Sequence, residues 1–466
     1  MEACTLGSRS GKVGAMILGL VIGFSLVFIP QGFAWGEEQQ GKRLVLTLKH
    51  LIEMAISRSP EIGEAKSEIA GAWSDLDQAK AAYYPQMEST ALIGPVDNAK
   101  RPAVRGTRII DPSAGGIGVF GRLDFAVAQP LYTFGKLSNR EEAAGRGVRA
   151  MAFKLEEKKN EIALRVKQLY CALIVARAGI EAANDADSFF GDARQRMARL
   201  LQLGSSNVAE SDLYRIDAYR AESARSRAEA EKGVKVSYFA LKSLIGLPAG
   251  QEFDPAEKVL PVSNEALAEL ESYVQKALSE RPEFKQLDEA LVAQEFQVRA
   301  ARSDRYPSFF VSLEGSLAGA PGRETFRNSY IPDEFNHANI GVVAGIKWNF
   351  DFGISRAKVE KERAGYERLL HTKATGKLNI PIQVAKSYQE IKEWKTAVDA
   401  YNQAAIASRK WVMTALTNFD MGVGTADDML RAIEKYGQNQ GKYLEAVFNY
   451  NLSLAELEYA SGTRTY

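Results

Sequence analysis

The chain has 466 residues and carries 59 basic against 58 acidic side chains, a formal net charge of +1. That length holds two or three ordinary domains, and charge so evenly spread leaves no basic stripe of the kind that binds nucleic acid. Cys4 and Cys171 stand far apart, and His50, His337 and His371 have no second ligand at metal-binding spacing, so neither a disulfide, redox chemistry, a metal nor any other cofactor is indicated.

At the N-terminus, Arg9 and Lys12 precede an apolar run from Val13 to Ile29, followed by Pro30 and the small residues Gly32, Ala34 and Gly36. This reads as a secretory signal peptide over residues 1–36, cleaved after Ala34 or Gly36; the length of the run leaves a membrane-anchoring helix as the alternative. Beyond it no apolar run approaches the roughly 18 residues of a spanning helix. A mature chain that crosses a membrane must do so with strands.

The first structural unit is expected over residues 37–248. LTLKHLIEMAISRSPEI, from Leu46, reads as a short amphipathic helix broken at Ser59-Pro60, with a second helix running to about Tyr83 and closed by Pro85. The period then changes: Met87, Ser89, Ala91 and Ile93 alternate with Gln86, Glu88 and Thr90, predicting a strand over about 86–94. A loop from Pro95 to Gly116 separates it from a clearer strand over about 118–131, with Val119, Gly121, Leu123, Phe125 and Val127 on one face.

From Lys136 to Leu203 there is no proline, and Leu155, Ile162, Val166, Leu169, Leu173, Ala176, Ile180, Ala183, Phe190, Met197 and Leu201 recur at threes, fours and sevens. At 1.5 Å per residue this predicts a helical rod about 100 Å long, too polar on its other faces for anything but sideways, coiled-coil packing. Leu203-Gly204-Ser205 ends it, and a helix from about Val208 to Ile245 returns, giving a hairpin over 136–246. Residues 249–263 read as a proline-bearing linker.

Residues 264–466 repeat the plan. Ser59-Pro60 is answered by Arg281-Pro282, Tyr84-Pro85 by Tyr306-Pro307, Phe134-Gly135 by Phe352-Gly353, and Leu203-Gly204 by Met421-Gly422. Offsets this steady identify an internal duplication. Its second copy has strands over about 308–318 and 339–352 and a helical hairpin over 354–460, with Val384, Ile391, Val398, Ala405, Val412 and Phe419 at unbroken sevens. Pro381 interrupts this second rod opposite Ala163 and should bend or loosen it.

Strands about ten residues long, apolar on one side and polar on the other, suit a barrel in a membrane with a wet lumen, or a half-buried soluble sheet. Four strands do not close a barrel, since about eight are needed, so a membrane sheet of this kind requires several copies of the chain. LTLKHLIEMAISRSPEI, Tyr84-Pro85-Gln86, QPLYTFGK, LQLGSSNVAESDLYRIDA and LKSLIGLP, with their second-half echoes, resemble the TolC-like outer-membrane efflux protein family over about residues 44–463. The resemblance implies a mainly α fold with a membrane β-barrel portion: internally duplicated strand–strand–helical-hairpin units in a homotrimer. Its twelve strands lie in outer-membrane lipid and continue into a periplasmic α-helical tunnel. It further implies a passive duct, working with a periplasmic adaptor (membrane fusion protein) and an inner-membrane transporter in drug, metal-ion or type I protein export. The rival expectation is a periplasmic coiled-coil adaptor or tether without a barrel.

No nucleophile, base and orienting group cluster at enzyme spacing, so no catalysis is expected. The resemblance places an acidic ring at the tunnel entrance on Asp428, beside Asp427. It departs from well-known members at Arg431, often a second acid, and at Gly424, where some members carry a basic latch residue. An acidic ring beside a basic one can pair across subunits, and the expectation is an entrance less cation-selective than a doubly acidic one. The alternative is that Asp427 or Asp428 caps the returning helix. Gly204, Ser205, Gly422 and Val423 are the hairpin-tip residues expected to meet the adaptor.

Overall fold

The computed structural model describes residues 44–463 apart from 100–102, 106–107, 111–115, 206–207, 249, 263–265 and 328. The leader expected over 1–36 lies outside the described residues. The first half runs β1 (Leu44–Leu46), α1 (Leu48–Arg58), α2 (Pro60–Ala81), β2 (Gln86–Asp97), β3 (Ala103–Arg105), β4 (Arg108–Ile110), β5 (Ile117–Tyr132), α3 (Lys136–Gln202) and α4 (Glu210–Leu244). The second runs β6 (Phe253–Pro255), α5 (Leu270–Glu280), α6 (Pro282–Ser303), β7 (Ser308–Gly319), β8 (His337–Lys347), α7 (Ile354–Asp420) and α8 (Ala426–Ala460). Equivalent elements have equal lengths: 11 residues for α1 and α5, 22 for α2 and α6, 67 for α3 and α7, and 35 for α4 and α8.

Local chemistry sets these boundaries. Thr47 opens α1 by accepting the His50 N–H, and Ser59 opens α2 by accepting from Glu61, with Pro60 in the first turn where its missing N–H costs nothing. The strand-to-rod junctions are Phe134-Gly135 and Phe352-Gly353. All four residues have positive φ, 50° and 44° at the phenylalanines, a conformation strained for an aromatic side chain. Phe134 is held there by stacking on Tyr306 at 5.3 Å and by the Ser303 hydroxyl, which donates to its carbonyl at 2.9 Å.

β2, β5, β7 and β8 form one antiparallel sheet in that order. Its register carries the argument for two faces. Ala91 pairs with Leu123, Leu123 with Leu317 and Leu317 with Ala338; one step on, Ser89, Phe125, Gly315 and Ile340 share a row. Extending these rows puts Met87, Ile93, Val119, Val127, Val311, Leu313, Val342, Ala344 and Ile346 on the same face, and Glu88, Thr90, Arg122, Asp124, Ser312, Glu314, Ser316, His337, Asn339 and Lys347 on the other. On each face a phenylalanine covers a cross-strand glycine, Phe125 over Gly315 and Phe310 over Gly345, where a Cβ would fall 2.2 Å and 2.6 Å from the ring.

Three expectations change here. The strand expected over 339–352 is β8, which begins at His337 and stops at Lys347, because its partner Lys347 pairs with is Ser308, the first residue of β7, and no ladder exists beyond it. The loop expected from Pro95 to Gly116 instead contains the end of β2 and the β3–β4 hairpin; Pro95 is tolerated because β2 is an edge strand. The 249–263 linker contains β6, paired in parallel with β1 and anchored by the buried Phe253, which stacks on Tyr238 at 4.8 Å.

Below the sheet, α3 lies against α2, α6, α4 and α8, and α7 against α6, α5 and α8. The heptad residues Val384, Ile391, Val398, Ala405, Val412 and Phe419 are all buried, as are Ile162, Val166, Leu173, Phe190 and Met197 of α3. Burying each of the larger side chains contributes about 1.5–3 kcal/mol. One apolar cluster joins α1 and the β1–β6 pair to the upper rods, and a second, around Phe190, Met197, Ile216, Phe419, Leu430 and Ile433, binds the hairpin ends together. α7 remains an unbroken helix through Pro381. Among the described residues no helix is long and apolar enough to cross a membrane.

Candidate functional site: the hairpin ends

Both reversals are built by the same hydrogen bonds. At the first, the Gly204 N–H donates to Leu201 and the Ser205 N–H to Leu200; at the second, Gly422 donates to Phe419 and Val423 to Asn418. Each is a glycine-terminated helix end that satisfies carbonyls otherwise left over, and it needs the φ values of 74° and 76° found at Gly204 and Gly422. Leu203, Met421 and Val423 are exposed around these turns.

Gly424 is needed for a different reason. Its N–H donates to Asn418 at 3.0 Å, and a Cβ there would lie 2.8 Å from the Phe419 nitrogen and 2.9 Å from the Asn418 carbonyl carbon. Gly424 is thus too close to the backbone for any side chain without movement.

The capping expectation is corrected: the hydroxyl of Thr425 accepts the Asp428 N–H at 3.1 Å, so Thr425 caps α8 and neither carboxylate does. Thr425 sits immediately before the first helical residue, the position whose side chain reaches the free N–H groups, whereas Asp427 and Asp428 are the second and third residues of the helix. At the first tip the equivalent of Asp428, Asp212, reaches back to the Ala209 N–H at 3.0 Å. With Thr425 present, Asp428 instead accepts from the Trp411 indole of α7 at 3.2 Å.

Asp427 is the hub. It accepts from Arg215 of α4 at 2.9 Å and pairs with Arg431 one turn along its own helix, and these two guanidiniums hold its carboxyl below the usual carboxylate range. Arg215 and Arg431 are equivalent positions of the two repeats. Arg431 thus has its acidic partner within its own chain, and two carboxylates and two guanidiniums share this end of α8. A second tie between the hairpins joins Arg196 of α3 to Asp420 of α7. Arg215, Trp411 and Thr425 were not singled out from the sequence; Arg215 was reachable through its equivalence to Arg431. Among the described residues no group of histidine, cysteine or acidic side chains is arranged to hold a metal. Cys171 is buried in the rod, its thiol pushed up to about 11 by burial.

Comparison with known proteins bears out the family resemblance. Residues 273–463, from within α5 to the last described residue, match the family described as outer membrane efflux protein. The fold is shared with the outer-membrane channel OprN, 18% identical with a TM-score of 0.71 over 90% of each chain. It is shared with CusC, a protein described as forming a transmembrane channel, at 16% identity and a TM-score of 0.74 over 93% of this chain and 96% of that one. The outer membrane protein VceC of Vibrio cholerae is 18% identical, with a TM-score of 0.71 over 89% of this chain and 96% of that one. No curated protein matches the chain.

Proposed function

We infer that this chain, a TolC-like outer-membrane efflux protein by its fold and by the family match of its second repeat, forms one third of a passive exit duct. The sheet register carries the reading: four strands align their apolar rows on one face and their polar rows on the other, and long rods follow β5 and β8 directly. Facing lipid, the rows around Ile93, Val119, Ile340, Val342 and Ile346 are at home; in a soluble tether all five would stand in water, and each is more than half exposed in the single chain. β2 and β8 are the free edges and run in opposite directions, so the β8 edge of one copy extends antiparallel onto the β2 edge of the next. Three copies give the twelve strands of an open barrel in the outer membrane, and the rods form a tunnel beneath it in the periplasm.

Permeation, not catalysis, is the chemistry. Asp427, Asp428 and Arg431 line the tunnel entrance, and the Arg215–Asp427 and Arg196–Asp420 pairs hold the two hairpins of each chain together there. The exposed tips at Gly204, Ser205, Gly422 and Val423 dock a periplasmic adaptor that links the duct to an inner-membrane pump or secretion ATPase. Drugs, metal ions or proteins are the candidate cargo classes.

The test is extraction and recording. The mature protein should require detergent, migrate as a stable, heat-modifiable trimer and form channels in planar bilayers; recovery as a soluble protein would support the tether reading instead. In the same bilayers, Arg431→Asp should move the reversal potential toward cations and increase divalent block. An unchanged reversal potential would remove Arg431 from the entrance.

A further inference from the structure

At the sheet end farthest from the rods, the segment between β7 and β8 is organised by Asp333. Its carboxylate accepts from the N–H groups of Phe326 at 2.6 Å and of Phe335 and Asn336 at 3.0 Å, which hold it below the usual carboxylate range. Phe335 is covered by the Arg323 guanidinium at 4.0 Å and meets the edge of Phe120 at 5.5 Å. The segment is tied to the polar wall of the sheet by a chain of hydrogen bonds. Asp333 O lies 2.8 Å from Nδ1 of His337, Nε2 of His337 lies 2.8 Å from Oγ of Ser316, and Ser316 Oγ donates to Asp124 at 2.6 Å.

Counting protons along this chain shows which charge state makes every contact a hydrogen bond at once. A peptide carbonyl only accepts, so Nδ1 carries a proton. Asp124 is paired with Arg122 and only accepts, so the single hydroxyl proton of Ser316 goes to it. Oγ then faces Nε2 as an acceptor, and that contact is a hydrogen bond only when Nε2 also carries a proton. With a neutral ring, Ser316 must turn its proton to Nε2 and abandon Asp124, or face Nε2 lone pair to lone pair. The chain is complete only around an imidazolium.

We propose that His337 is a proton-operated clasp, which fastens the β7–β8 segment to the barrel wall through Ser316 and Asp124 when protonated and releases it when neutral. The charges around the ring suit this. β5 contributes Asp124, with Arg122 neutralised against it; the segment contributes Asp333 and, around the same cavity of about 470 Å³, Arg327; β7 contributes the uncharged Ser316, and β8 itself the uncharged Asn339. Two carboxylates face the ring, one guanidinium is already paired, and Arg327 is the opposing charge. Histidine is the side chain that changes charge between about pH 5 and 8, so the clasp would answer to the medium outside the cell.

Each chain of the oligomer carries three histidines, so a sample labelled with nitrogen-15 histidine gives three kinds of ring, and His337→Gln assigns the relevant one. Of two samples, one mildly acid and one mildly alkaline, the first should show protons on both ring nitrogens of His337 and the second on one. Deuterium exchange across 326–337, corrected for intrinsic rates, should be roughly tenfold slower at the lower pH, the worth of one hydrogen bond to a charged group. That ratio should fall to about one in His337→Gln and in Ser316→Ala, which leaves every charge in place. A tenfold ratio surviving in either variant overturns the clasp. If His337→Gln does not assemble, Ser316→Ala and the wild-type spectrum decide, and a ring neutral at both pH values overturns it as well.

Discussion

Gly424 and Gly204 look alike in the sequence and do different work. Gly204 has positive φ with nothing within 4 Å of where a Cβ would be, so Gly204→Ala meets only the backbone cost of the left-handed region, about 1–2 kcal/mol. Gly424→Ala instead drives a carbon onto the Phe419 nitrogen and must open the turn. Exchange of the tip amides should therefore rise modestly for the first and much more for the second. Equal rises would mean that the close approach at Gly424 relaxes without cost.

Glu157 of α3 provides a test with a definite sign. Partial burial, and then the neighbouring charge of Glu283, raise its carboxyl above the usual range, with Glu161 adding and Lys158 and Arg281 opposing. A raised folded-state value means the native protein binds that proton more tightly than the unfolded chain. The favourable contribution is present below the usual carboxylate range and is lost as pH rises through the raised value. Glu157→Gln should accordingly raise the urea midpoint near neutral pH and leave it unchanged in acid, below the carboxylate range. A midpoint that falls at neutral pH would show that Glu157 is held by pairing and not strained by burial.

Among the elements, α7 makes the sharpest case for reading helices from spacing. Ile391 is 2% exposed on the inner stripe, and Ile391→Ala should cost about 2–5 kcal/mol in chemical denaturation. The rods were legible because a period sustained over many turns cannot arise from local accident. The β1–β6 strap was not: LVL and FDP are three residues each, too short to show any period, and their pairing joins segments two hundred residues apart. The end of β8 was hidden for a related reason, since alternation continues through Phe350 and Phe352 and only the start of β7 decides where the ladder stops. At the second tip, Thr425-Ala-Asp-Asp428 offers three side chains able to cap, and position relative to the first helical turn selected Thr425. Asp427 stands out in the sequence beside the second helix reversal, but its partner Arg215 comes from another hairpin 212 residues away.

For the molecule as a whole, the exposed apolar side chains mark where neighbours belong. Leu378, Ile382, Ile406 and Met413 of α7 and Tyr214, Val236 and Phe239 of α4 are exposed on the two outer helices of the neighbour order α4–α3–α8–α7. Ile382→Ala should therefore leave the rods of the individual chain intact, as judged by far-ultraviolet dichroism, while lowering the temperature at which the proposed trimer dissociates. An unaltered dissociation temperature would put Ile382 outside the subunit contact.

The continuity of the 67-residue rods has a consequence for how the ends act on flow. At 1.5 Å per residue they set the tip and the far mouth of the sheet more than about 100 Å apart. In the proposed duct the Asp427 hub and the His337 clasp would then be two resistors in series on one conduit, with the larger resistance dictating the current. While the tip is shut, fastening or freeing the mouth leaves the current unchanged; once Asp427→Ala lowers the resistance at the tip, the same proton at His337 becomes audible in the trace.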